Sequence, residues 1–283
     1  MRYFDTVADL QDHLDHLRDR RVPVAFVPTM GALHAGHLSL IRSAKRDYPV
    51  AVCSIFVNPT QFGEAADLEH YPRTVRRDLD VLSQVHTDVA FVPPGAEIYP
   101  PDSTVAIPDV PLDGLDQHME GAHRPGHFGG VMQVVNRLLH IVQPDALYMG
   151  QKDYQQFRII EHMVEHLDLP TEVVMCPTVR DTDGLALSSR NLRLDAQQRR
   201  QAKLIYATLR RTQQAFPHLP PERLCNDALR HLNRPGFEPE YFEIVDGDTL
   251  QPIAQYDGHD RIVACTAVRV GEVRLIDNVL LRF

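Results

Sequence analysis

Short apolar runs rich in β-branched residues alternate with amphipathic stretches through the first two thirds of this chain, and that alternation most narrows the folds open to it. The runs at 24–28, 50–57, 89–92, 146–149 and 172–176 have the length and bounding turn residues of strands. Between them, 37–45, 74–85, 128–142 and 154–166 repeat apolar residues at helical spacing. Strands separated by helices build a parallel sheet covered on both faces. Right-handed crossovers then bring the strand C-termini to one edge, where ligands of open α/β sheets gather. His34, Asn58 and Gly150 each follow a strand end there.

Past Arg193 the pattern changes. Helices are expected at 195–214, with Asp195 as N-cap, and at 220–232. Antiparallel strands follow at 241–245, 261–270 and 273–281, with turns at Gly247-Asp248 and Gly271-Glu272. The chain therefore reads as an α/β protein: a Rossmann-like parallel-sheet N-terminal domain over 1–177, then a smaller α+β C-terminal domain over 178–283. Gly184 lies in the junction and could let the second domain act as a lid.

Charge and cysteine usage exclude several function classes. With 29 basic against 38 acidic residues, the net charge of −9 argues against nucleic acid or an anionic membrane as partner, while a locally positive cleft could still take a small anion. Cys53, Cys176, Cys225 and Cys265 are widely spaced and form neither a zinc motif nor a disulfide framework, which points to a reducing cytoplasm. Segment 1–17 carries Asp5, Asp9, Asp12 and Asp15 and no apolar core, so no signal peptide is expected. No apolar run approaches the roughly 18–20 residues that cross a bilayer.

Five segments could carry chemistry. Met30-Gly31-Ala32-Leu33-His34-Ala35-Gly36-His37 ends a strand and opens a helix, so two imidazoles, glycine-permitted backbone approach and the positive helix end could converge on a phosphate. A capped helix start alone would look the same. Asn58-Pro59-Thr60-Gln61 places two primary amides across a stiffened turn; they either hold a hydroxyl or carboxylate, or satisfy the turn's own backbone. The glycine-rich stretch from Gly121 to Gly130, with His123, Arg124 and His127, could bind an anion, form a lid, or be only a tight turn. Gly150-Gln151-Lys152-Asp153 starts a helix with a cation, which is unfavourable for the dipole unless an anion lies near; alone, it reads equally as a solvated lysine. Finally Leu187-Ser188-Ser189-Arg190 offers hydroxyls and a guanidinium suited to a polyphosphate, or an Asp-Gly turn followed by a helix cap.

Taken together, His34-Ala35-Gly36-His37 and Leu187-Ser188-Ser189-Arg190 resemble the paired HIGH and KMSKS-type signatures of the nucleotidyl-transferring α/β superfamily. More narrowly, the blocks at 27–41, 54–63, 71–74, 120–128, 142–156 and 183–191 resemble, in order and spacing, the pantothenate synthetase (pantoate-beta-alanine ligase) family. The resemblance implies ATP-dependent activation of pantoate as an acyl adenylate, then attack by beta-alanine with loss of AMP. It implies that Met30 to His37, Gly150, Gln151, Lys152, Asp153, Val179, Leu187, Ser188, Ser189 and Arg190 line the ATP site. Within that set His34, His37, Lys152 and Arg190 act on the phosphates, and bound polyphosphate would favour a protonated His37. Gln61 and Gln156 would hold pantoate, Gln61 also lying near beta-alanine.

The resemblance further implies Mg2+ bound mainly through phosphate oxygens and water, and a homodimer. Asp78 is either a distant contributor to that metal or a surface carboxylate. Gln151, Met149, Gln133 and Leu187 depart from the glutamate, phenylalanine, threonine and methionine usual in the family. A different transferase of the superfamily, or a non-catalytic nucleotide-binding module, would keep the nucleotide motifs. The first should favour a cationic acceptor pocket over Gln61 and Gln156, and the second would tolerate loss of Lys152 or Arg190.

Overall fold

The alternating runs fold into six parallel strands in the order β1-β4-β3-β2-β5-β6: β1 Arg2–Phe4, β2 Val24–Thr29, β3 Val50–Ile55, β4 Val89–Phe91, β5 Ala146–Gly150 and β6 Glu172–Cys176. This computed structural model describes residues 1–63, 68–102 and 104–283. The longer connecting helices are α1 Val7–Asp19, α2 Ala35–Asp47, α3 Val75–Gln84, α4 His127–Val142 and α5 Tyr154–His166. The core strands are buried nearly end to end, as in sheets covered on both faces. On one face Leu40, Ile41 and Ala44 of α2 pack with Leu82 of α3 against Ala25, Val27, Ala51, Cys53 and Ala146. Val24 and Phe26, which alternate to the other face, are buried as well.

Among the described residues, β1, α1 and the short helices at Gly95–Ile98 and Met119–His123 escape the sequence reading. β1 has three residues, none buried, and α1 buries only Leu10 and Leu14. β1 is too short to show a period, whereas Val7, Leu10, Leu14 and Leu17 of α1 do stand at helical spacing.

By its internal contacts the chain divides into two compact units. Unit 1 comprises Met1–Pro111, Arg124–Gly150 and Ile159–Pro177; unit 2 comprises Leu112–His123, Gln151–Arg158 and Thr178–Phe283. One boundary between the units falls at Pro177, and two earlier segments, Leu112–His123 and Gln151–Arg158, belong to unit 2.

Unit 2 holds a three-stranded antiparallel sheet of β7 Phe237–Asp246, β8 Ile262–Val270 and β9 Val273–Arg282 in sequential order. Helices α6 Ala196–Ala215 and α7 Pro221–Leu232 pack on it through Ala202, Ile205, Leu209, Leu224, Ala228 and Leu232. Asp195 caps α6 in a reciprocal box with Gln198, and Pro221 opens α7 where a missing N–H costs nothing. Gly271-Glu272 makes the tight hairpin turn, Gly271 at φ 58°. Gly247-Asp248 does not: β7 and β8 are joined by the whole segment 247–261, whose start folds back as Pro252 bridges Val245.

Candidate active site

In unit 1 the strand order reverses direction at β2, whose neighbours are β3 on one side and β5 on the other. The crevice at the carboxyl ends of β2 and β5 is therefore the switch point where open α/β sheets take ligands. From β2 the chain enters Met30 and turns sharply, with Gly31 at φ 78° and Ala32 at φ 49°. Two successive left-handed residues point the N–H groups of Ala32 and Leu33 the same way, a backbone concavity that binds anions.

The anion they hold is the protein's own. Asp78 of α3, 1% exposed, accepts from Ala32 N–H at 2.9 Å and Leu33 N–H at 2.8 Å, and from the Thr74 hydroxyl at 3.1 Å. It is thus a buried carboxylate tied to the loop after β2, not a surface one. Gly31 N–H donates to Thr29 Oγ1 at 3.2 Å, and a Cβ at Gly31 would stand 3.0 Å from Ile55 and 3.1 Å from Asp78.

His34 and His37 form a reciprocal capping box at the start of α2. His34 Nδ1 accepts from Gly36 N–H at 3.1 Å, and His37 Nδ1 accepts from His34 N–H at 3.3 Å; the ring centroids are 4.0 Å apart. A nitrogen that accepts cannot carry the proton, so both neutral rings have their hydrogen on Nε2. The backbone amides that sequence reasoning offers to a phosphate are largely taken inside the protein. The imidazole Nε2–H groups are the donors that the geometry makes instead. Protonation of His37, which the resemblance implies only with polyphosphate bound, would put a hydrogen on Nδ1 as well and give up the bond from His34 N–H.

After β3, Asn58 is 1% exposed and fully engaged: Nδ2 donates to Thr60 Oγ1, Gln61 Oε1 and Gly130 O, while Oδ1 accepts from the Tyr99 hydroxyl at 2.8 Å. Asn58 therefore builds the turn. Burial pushes the Tyr99 hydroxyl up in pKa, against its hydrogen bonds with Thr60 and Asn58, which hold it down. Gln61 is half-buried, and its Nε2 lies 3.0 Å from Met30 Sδ, so the turn meets the loop after β2. Its carbonyl accepts from His127 Nδ1 at 2.9 Å; His127 Nε2 then accepts from Arg124 at 3.1 Å.

The glycine-rich stretch has a packing reason. A Cβ at Gly130 would lie 2.2 Å from Thr60 O, so glycine lets α4 touch the Thr60–Gln61 backbone.

Unit 2 carries the other expected residues. Gln151–Asp153 forms a 3-10 turn ahead of α5, with the Lys152 ammonium 3.4 Å from Asp153. Asn278 of β9 holds this turn: its Nδ2 donates to Gln151 O and Lys152 O, both at 2.9 Å, and its Oδ1 accepts from Gln151 Nε2 at 3.1 Å. Asp277 receives the Arg180 guanidinium at 2.6 and 2.9 Å. Burial pushes the Asp277 carboxyl above its ordinary pKa, against the pull of Arg180 and of the Asn278 N–H. Arg180 also lies over the Tyr206 ring, 3.9 Å from its centroid.

From Arg180 the chain makes a hairpin closed by the Arg180–Ala186 bridge, and Leu187 N–H donates to Val179 O at 3.0 Å. Ser188 then caps a 3-10 turn, accepting from Arg190 N–H at 3.3 Å, with Ser189 buried. Gln156 is half-buried on α5, whereas its neighbour Gln155 is structural, bonding Leu115 O, His118 O and Glu120 N–H. The His123 ring lies tilted against Tyr241, centroids 5.4 Å apart, with Glu240 3.9 Å from His123.

Among the described residues no cluster of three or more His, Cys, Asp or Glu could cage a metal ion, and no helix is long and apolar enough to cross a membrane. Asp78 and Asn278 are buried supports of these loops whose roles the sequence does not reveal, whereas Gly130 fits the structural alternative for its stretch. The loop partners of Asp78 and Asn278 lie tens of residues away in the chain, so no local pattern marks them.

Comparison with known proteins gives a family and an architecture. Residues 2–280 match the family described as pantoate-beta-alanine ligase. The pantothenate synthetase of Porphyromonas gingivalis is 46% identical over 281 residues, 99% of each chain. A crystal structure of pantothenate synthetase from Thermus thermophilus superposes with a TM-score of 0.92 at 40% identity, covering 100% of both chains. The Francisella tularensis pantoate-beta-alanine ligase, complexed with beta-gamma ATP and beta-alanine, superposes at 0.81 with 37% identity, over 99% of this chain and 98% of that one.

Proposed function

This chain belongs to the pantoate-beta-alanine ligase family, and from that premise we propose that it condenses (R)-pantoate with beta-alanine to pantothenate, consuming ATP. In the first step a pantoate carboxylate oxygen attacks the α-phosphorus of ATP. The new O–P bond forms as the α–β bridge breaks and pyrophosphate leaves. In the second, the amine nitrogen of beta-alanine attacks the acyl carbon, the C–O bond to AMP breaks, and nitrogen gives up its proton. Because two anions must meet in the first step, catalysis is positioning and neutralisation, with no protein nucleophile.

What most supports this assignment is the imidazole pair, set by its own backbone bonds as Nε2–H donors beside the β2–β5 switch point. His34 and His37 donate to phosphate oxygens as negative charge moves. Lys152 supplies a fixed positive charge, and Arg190 with Ser188 and Ser189 binds phosphate oxygens through charge-assisted bonds. The segment from Met30 to Leu33, with Ala35 and Gly36, lines the nucleotide, as do Gly150, Gln151, Asp153, Val179 and Leu187. Gln61 and Gln156 bind pantoate by presenting both donor and acceptor, and Gln61 also faces beta-alanine.

Mg2+ accompanies ATP on its phosphate oxygens and water, and no protein ligand is assigned, since the described residues form no cage and Asp78 is committed to the loop. A cytoplasmic location is proposed on the four free cysteines. A homodimer is proposed on the family resemblance, giving a species of twice 32.1 kDa in light scattering.

The deciding assay mixes protein, MgATP and pantoate, with and without beta-alanine, and follows AMP and pantothenate. Pantothenate and AMP should appear together only when all three substrates are present. Absence of AMP at saturating substrates would remove the assignment.

A further inference from the structure

Adjacent residues of the last strand tie together two segments of unit 2. Asn278, 2% exposed, bonds the main chain of Gln151 and Lys152 through one amide. Asp277, 3% exposed, takes the Arg180 fork, and Arg180 also donates to Asn278 O at 3.0 Å. Arg180 begins the hairpin whose far side is Ala186. Asn191 Nδ2 reaches back to Ala186 O at 3.0 Å, fastening the Ser188–Arg190 turn to that hairpin.

We propose that Asp277 and Asn278 are positioning residues for adenylation, fixing from one point on β9 both the main chain of Lys152 and the loop that carries Ser188, Ser189 and Arg190. This rests on the assignment of Lys152 and Arg190 to the polyphosphate. Both side chains are too buried and too fully bonded to act as ligands themselves. The chemistry at 278 is specific: two carbonyls side by side need two N–H donors from one atom, which a primary amide supplies. A carboxylate there would face both carbonyls with like partial charge. Since a shift of about 1 Å in a charged positioning group can cost ~10²-fold in rate, such a support is part of the catalytic geometry.

The test is Asn278→Asp in the full-length enzyme, with the half-reactions measured separately. Adenylation, read as pantoate-dependent pyrophosphate exchange into ATP, should fall by about 30–100-fold. Aminolysis of preformed pantoyl adenylate by beta-alanine should stay within about threefold of the parent, because its reacting carbon lies outside the polyphosphate. In a Lys152→Ala background the same substitution should cost no more than about threefold further, since the group it positions is gone. Equal loss in both half-reactions, adenylation within threefold of the parent, or multiplicative losses with Lys152→Ala would each overturn the proposal. If N278D does not fold by circular dichroism, Asn278→Ser, which keeps one donor, should show the same split with about a tenfold loss of adenylation. A parent enzyme that exchanges no pyrophosphate would instead strike the functional assignment, and the positioning role with it.

Discussion

His37 has two jobs that a single substitution confounds: its Nδ1 caps α2 by accepting from His34 N–H, and its Nε2–H is the proposed phosphate donor. Asparagine places a polar atom where Nδ1 sits, and glutamine reaches to where Nε2 sits. His37→Asn should therefore keep the stability of the parent within about 0.5 kcal/mol, while adenylation falls by about 10²–10³, the range for losing a donor to developing charge. His37→Gln should recover part of the rate and lose about 1 kcal/mol of the cap. Urea melts and pyrophosphate exchange on both variants separate the roles; a His37→Asn enzyme of near-parental rate would remove the donor function from Nε2. The sequence made the histidines visible because they share a loop with Gly31 and Gly36. It hid Asp78, whose carboxylate occupies the anion-binding backbone from 45 residues downstream.

At the scale of elements, strands with uninterrupted β-branched runs were legible, and so were helices with a clear apolar stripe, because burial on a sheet imposes both patterns locally. Close approach between elements imposes no pattern. The sequence stretch Gly129-Gly130 reads the same at both positions, yet the structure distinguishes them. A Cβ at Gly130 meets backbone at 2.2 Å, whereas one at Gly129 meets only the tip of Ile107 at 3.3 Å, a side chain 53% exposed. In a helix interior alanine is favoured over glycine by about 1 kcal/mol. Gly129→Ala should therefore be neutral or stabilising by up to about 1 kcal/mol. Gly130→Ala should be destabilising by about 1–3 kcal/mol, because α4 must back away from Thr60. The same retreat moves Gln61, so Gly130→Ala should raise the KM for pantoate more than that for ATP. Thermal melts and substrate titrations of the two variants check this, and equal behaviour would mean that α4 does not rest on the turn as described.

For the whole molecule, the paired carboxylates decide how stability responds to acid. Arg199 bonds Asp181 at 2.5 Å and Asp183 at 2.6 Å, and those contacts hold Asp183 below the ordinary carboxylate range; for Asp181 the Thr182 N–H is the larger cause and Arg199 the next. A carboxylate with a lowered folded pKa contributes stability at pH values above its unfolded value, about 3.9, and loses it as pH falls through the folded value. Asp246 adds to the same trend: burial pushes it up, but bonds from Thr249 and His259 win and its pKa is lowered. Asp277 works the other way, since its raised pKa lets the folded state take a proton first. The lowered groups outnumber it, so stability should decline below about pH 5 and steeply below about pH 4. Arg199→Gln removes the main cause of the lowering at Asp183 and the second cause at Asp181. At pH 7 it should cost little, because Asp181 and Asp183 are 44% and 33% exposed and water screens the pairs. Below pH 5 its stability should fall less steeply than the parent's, so that the two curves converge in acid. Urea unfolding from pH 3 to 7 measures both slopes by circular dichroism, which suits a chain without tryptophan. Parallel curves over that range would show that the Arg199 pairs, despite their geometry, do not couple protonation to folding.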